Sequence, residues 1–86
     1  SEIVFLQDSS QLYSRIKNYS IEHIVEELDY LQQQTNDRLE LESIQLLKEE
    51  LMMEMPRPAI IVGLISNLEK NENFNWITIY LKDRFN

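Results

Sequence analysis

The chain has 86 residues, 15 acidic and 8 basic side chains, a net charge of −7 and no cysteine. At this length one small core is the ceiling, because only about 60–65% of the unfolded surface can be buried. The missing cysteines exclude a disulfide framework and a thiolate zinc site. The acid excess argues against direct contact with nucleic acid. At 43% hydrophobic and 27% charged, the chain should fold. No apolar run approaches the roughly 20 residues that cross a bilayer. No secretory signal pattern stands out either, so no membrane partner and a cytoplasmic location are expected. The expectation is one helical domain over residues 1–86, which can also be part of a longer chain.

One glycine, Gly63, and two prolines, Pro56 and Pro58, favour helices over a many-stranded sheet. Residues 1–7, with Ile3, Val4, Phe5 and Leu6 consecutive, read equally as a packed arm or a short strand. Residues 9–19 suit a short helix capped by Asp8 or Ser9, with Leu12, Ile16 and Tyr19 on one face. Residues 21–33 follow the helical period through Ile21, Ile24, Val25, Leu28 and Leu31, behind the N-cap residue Ser20.

A longer helix is expected over about 37–54, with two apolar rows: Leu39, Leu46 and Met53, and beside them Leu41, Ile44, Leu47, Leu51 and Met55. So broad a stripe predicts contact with more than one neighbour. Pro56 ends it, since proline lacks an N–H and disfavours the α conformation before it. Pro58 suits the first turn of the next helix, over 59–70, which is apolar nearly all round and therefore expected to be central. Gly63 in its middle suggests a close approach by another backbone. Residues 71–75 read as a turn. The last segment, 76–81, has strand-like composition but a helical context, and helix is preferred because an isolated strand pair of the termini is marginal. The fold class is thus all-α, a bundle of four to five helices. Its core is expected from Leu12, Ile16, Ile24, Val25, Leu28, Ile44, Leu47, Leu51, Ile61, Leu64, Ile65 and Leu68.

Catalytic chemistry finds little footing. His23 stands near Glu26 and Glu27, but one histidine without cysteine is a poor ligand set for a transition metal. A solvated histidine in an acidic first turn is the simpler reading. A phosphate cradle needs several glycines, and no Ser/His/Asp context marks a nucleophile. Neither catalytic nor metal-binding nor cofactor-binding residues are assigned, and no cofactor is expected.

Charge is more informative. Residues 1–54 hold 12 acids and 4 bases, whereas residues 55–86 hold 3 acids and 4 bases. Glu22, Glu26 and Asp29 stack at i, i+4 and i+7 with no base between them, each like-charge pair costing a few tenths of a kcal/mol. An ordinary solvated face explains this, as does a docking face for a basic protein. The longer helix has a similar ridge in Glu42, Glu49, Glu50 and Glu54, partly countered by Arg38 and Lys48. Tyr30 lies off the apolar stripe, where it either anchors a partner or packs at the helix end. Met52, Met53 and Met55 cluster before the prolines. Methionine adapts its shape at binding surfaces, though it also fills cores.

Residues 43–69 run from a Leu/Glu-rich helical stretch (SIQLLKEEL) through MPRP to IIVGLISNLE, which makes a helix, a Pro-x-Pro step and a second, apolar helix. This arrangement resembles small helical accessory domains of bacterial phage-defence systems. The resemblance implies a non-catalytic adaptor or regulatory module that holds another protein or a second copy of itself. By size and charge alone the chain is also similar to acidic immunity proteins that neutralise basic toxin enzymes, although it lacks their Tyr-Tyr-Pro motif. The expected partner-binding residues are Glu22, Glu26, Asp29, Tyr30, Met52 and Met53, facing a basic protein or, as a homodimer, another copy.

Overall fold

A computed structural model describes residues 17–85. The expected helix over 9–19, all but the last three of its residues, and the core candidates Leu12 and Ile16 lie outside the described residues, as does the arm or strand over 1–7. Among the described residues there are four α-helices, in order α1 (Ile21–Gln32), α2 (Arg38–Leu51), α3 (Pro58–Ser66) and α4 (Asn75–Phe85), with a 3-10 turn at Glu72–Phe74 before the last. No strand occurs among them. The protein is a small all-α bundle.

Each start has a chemical cause. Ser20 caps α1 by accepting from the His23 N–H, and His23 Nδ1 accepts in return from the Ser20 N–H at 3.1 Å, so two otherwise orphaned donors are satisfied. Asp37 caps α2, accepting from the Glu40 N–H at 2.8 Å. Pro58 opens α3, where a missing N–H costs nothing. The expected boundaries 37–54 and 59–70 are too long. Residues beyond Leu51 and Ser66 turn away, Met53 bonding to Glu50 and Leu68 to Ile65 in i→i−3 fashion.

Segment 76–81 is helical, as its context suggested, within an α4 that begins one residue earlier than Trp76 and buries Ile77, Tyr80 and Leu81. These join Ile24, Leu28 and Leu31 of α1, Ile44, Leu47 and Leu51 of α2, Ile61 and Ile65 of α3, and Leu68 and Phe74 in one apolar core. Val25 and Leu64, expected inside, are half-buried at its edge. The Tyr80 hydroxyl donates to the Tyr19 carbonyl, and Tyr19 meets Trp76 edge-to-face at 5.7 Å, which ties the entry of α1 to α4.

α2 packs against both α1 and α3. Two expectations for α3 fail. It is not central, for it buries only Ile61 and Ile65 and leaves Ile60 and Val62 exposed. Nor does Gly63 admit a close backbone: a Cβ built there would meet nothing within 4 Å. An apolar sequence registers what could be buried, whereas the described neighbours of this helix, α2 and α4, cover only its inner side.

Glycine inside a helix costs about 1 kcal/mol relative to alanine. With open space around Gly63, Gly63→Ala should therefore raise unfolding free energy by about 0.5–1 kcal/mol. Thermal and urea melts at micromolar protein check this, and an unchanged or lower midpoint refutes the open environment.

Candidate interaction surface

The most constrained polar group is Glu50. It sits in the last turn of α2 with its side chain 5% exposed. Its Oε2 accepts from the Arg57 backbone N–H at 2.8 Å and from Arg57 Nε at 3.0 Å, while Oε1 accepts from Nη2 at 2.8 Å. Such a forked, charge-assisted arrangement compensates the desolvated carboxylate. Further along the same seam, Asn67 Nδ2 donates to buried Ser43 Oγ at 3.1 Å and Asn71 Nδ2 to Glu40 Oε1 at 3.3 Å. The three pairs fix α3 antiparallel to α2. Among the described residues no buried side-chain nitrogen or oxygen lacks a partner.

Beside this seam runs a groove walled by Leu46 and Met53 of the α2 side and by Ile60 and Leu64 of α3, with Glu49, Glu50 and Arg57 completing its lining. Its free volume is about 360 Å³, room for a few side chains. The row Leu39, Leu46 and Met53 is open to solvent at 55%, 52% and 47% exposure, so the seven-residue repeat does not mark a second buried contact. A second depression, sharing Met53, is lined by Ile21, Glu22, Met52, Glu54, Arg84 and Phe85 among others.

The expected partner-binding residues divide between these places. Glu22 stands in the second depression together with Met52 and Met53, so residues thirty positions apart in sequence meet on one surface. Glu26 is exposed further along α1, and Tyr30 is 57% exposed. Asp29 is different. Lys48 of α2 forms an ion pair with it and donates to Gln32 Oε1 at 2.8 Å, so the third acid of the ridge is compensated from the neighbouring helix. The methionines Met52, Met53 and Met55 are exposed rather than core-filling. Sequence reasoning does not find Leu46, Ile60 or the Glu50–Arg57 pair as surface features. The 39/46/53 spacing points towards Leu46, whereas only the tertiary register reveals Glu50 with Arg57.

His23 has its Nδ1 occupied by the α1 cap and its ring against Tyr19, 5.2 Å between centroids. No group of three or more His, Cys, Asp or Glu side chains among the described residues could hold a metal ion. No described helix is long and apolar enough to cross a membrane. No family model matches the chain, and no curated protein or solved structure shows significant similarity to it.

The Arg57 hydrogen bonds hold the Glu50 carboxyl down to about 2, from an ordinary 4.5. The Arg57 guanidinium is correspondingly raised. A carboxyl whose folded value is depressed adds stability above its unfolded value and loses it as pH falls through the folded one. Glu50 should therefore stabilise the fold fully above about pH 5, and this contribution should fade between there and pH 2. Glu50→Gln is expected to lower the urea midpoint at pH 7 and to flatten the acid limb over that window. Parallel wild-type and variant acid profiles would refute the role.

Proposed function

We propose that this protein is a non-catalytic interaction module, an adaptor or regulatory component that docks a basic protein partner through the start of α1 and the exit of α2. The observation that carries this reading is the shared depression in which Glu22 adjoins Met52 and Met53. Exposed methionines supply adaptable apolar contact. Acids beside them speed encounter with a basic partner and penalise acidic ones. Glu26 extends the charged part along α1, and Tyr30 offers an aromatic anchor farther on. Asp29, already paired with Lys48, contributes less. Placement in a bacterial defence-type system rests on the resemblance of residues 43–69, and a cytoplasmic location goes with that placement.

The test is capture at low salt with the immobilised chain, followed by affinity measurement on the captured protein. A basic partner should bind with a dissociation constant that rises as salt is added. Replacing Glu22 and Glu26 by Gln and Met53 by Ala should weaken it by tenfold or more, with the helical signal unchanged. An affinity indifferent to both salt and these substitutions would show that the partner docks elsewhere. A captured basic enzyme that loses activity on binding would favour the neutralising, immunity-like role over the adaptor role.

A further inference from the structure

We propose that Met52 and Met53 form a site of reversible oxidation, at which hydrogen peroxide converts both thioethers to sulfoxides and closes the depression beside Glu22 to apolar contact. The consequence for docking rests on the reading above, whereas the oxidation and its effect on the fold do not. The starting observation is where the sulfur lies. The chain has three methionines and no cysteine, and all three methionines fall between residues 52 and 55. Met52, Met53 and Met55 are 65%, 47% and 83% exposed, while the core of the described residues is built from leucine, isoleucine, phenylalanine and tyrosine without methionine.

The chemistry selects these sulfurs. A thioether lone pair attacks one oxygen of hydrogen peroxide, an S–O bond forms as the O–O bond breaks, and the departing hydroxide takes up the remaining proton as water. Sulfur is oxidised by two electrons and the peroxide is reduced. With no thiol in the chain, no stronger nucleophile competes for the oxidant. α2 ends at Leu51 and α3 begins at Pro58, so neither the oxidant nor a reductase has to open a helix to reach the sulfurs. Position then decides the effect. Met52 and Met53 line one depression with Ile21, Leu51 and Phe85, and Met53 also walls the groove beside Ile60 and Leu64, whereas Met55 lines neither. A sulfoxide oxygen is a strong hydrogen-bond acceptor, so burying it under an apolar partner carries a desolvation cost that the thioether escapes. Neither residue belongs to the core, so the oxidised chain keeps its fold, which separates a switch from oxidative damage. A dithiol-driven methionine sulfoxide reductase restores the thioether, the oxygen leaving as water while two thiols become a disulfide.

The experiment treats the whole chain with millimolar hydrogen peroxide at neutral pH. It follows intact mass, peptide mass maps, helical signal, urea midpoint and the binding of a synthetic amphipathic peptide of leucines and lysines. Each sulfoxide adds about 16 Da. All three methionines should convert, with the helical signal and urea midpoint unchanged. Peptide affinity should fall at least tenfold and return when methionine sulfoxide reductases with dithiothreitol remove the oxygen. Met52→Leu together with Met53→Leu should preserve affinity and abolish its sensitivity to peroxide, while Met55→Leu should leave that sensitivity intact. The proposal is overturned if Met52 and Met53 resist peroxide while Met55 converts, if the urea midpoint falls on oxidation, or if affinity is unchanged although both are sulfoxides. A reduced chain that does not bind the peptide overturns this proposal and the docking reading together. A peroxide-sensitive affinity that ignores salt and Glu22→Gln with Glu26→Gln supports the methionine site and refutes only the acidic part of that reading.

Discussion

The closure of Glu50 by Arg57 is the constraint on which the arrangement of α2, α3 and their exposed surfaces depends. A carboxylate this buried would be costly if left unpaired. Three N–H groups of Arg57 meet it, one from the backbone, so the connector between α2 and α3 is bound at its far end as well as through its side chain. Sliding α3 along α2 by one turn, about 5.4 Å, would break this pair together with Ser43–Asn67 and Glu40–Asn71. It would leave the buried Ser43 and Glu50 of α2 without their partners. The apolar side chains alone would tolerate such a slip far better, because Ile60, Ile61, Leu64, Ile65 and Leu68 offer similar surfaces at several registers. The polar seam therefore fixes the register of α3 along α2.

This explains which parts of the fold were legible in the sequence. The amphipathic period of α1, its cap at Ser20 and the start of α3 at Pro58 are local features that place those elements closely, whereas α2 ends at Leu51, ahead of the stop expected at Pro56. α3 has no such period. Its residues are apolar on every side, so the sequence says what could be buried and nothing about how much neighbouring surface exists to bury it. Centrality and a close approach at Gly63 follow reasonably from that pattern, and both fail because the described neighbours of α3 cover only its inner side. In the sequence Glu50 is one member of an acidic ridge, indistinguishable from Glu49 beside it. Its burial depends on an arginine seven residues away that only the turn at Pro56 brings back.

The acidic face shows the same limit on its charges. Along α1 alone, Glu22, Glu26 and Asp29 form an unrelieved ridge. In the folded chain Lys48 reaches across from α2, bonding both Asp29 and Gln32, and compensates the far end of that ridge. Glu22, in the first turn, also complements the positive end of the helix dipole, so part of the ridge has a purely local reason. The acidic character therefore lies nearer the start of α1 than the sequence suggested. That is also where Met52 and Met53 arrive from the end of α2, so tertiary packing concentrates charge and adaptable apolar surface in one place that neither segment defines alone.

The two exposed regions consequently differ in the physics of association. An interface carrying Glu22 and Glu26 gains most from an unlike, basic partner, and screening at high ionic strength erodes that gain. Residues 58–68 carry no charge of their own, although Glu49, Glu50 and Arg57 border the groove beside Ile60 and Leu64. Met53 is common to the walls of both depressions, one of which holds Glu22 and Glu54 and the other Glu49 and Glu50. The Glu50–Arg57 pair holds the α2–α3 turn rigid between them. Occupying the depression beside Met52 and Met53 therefore need not disturb the polar seam between α2 and α3.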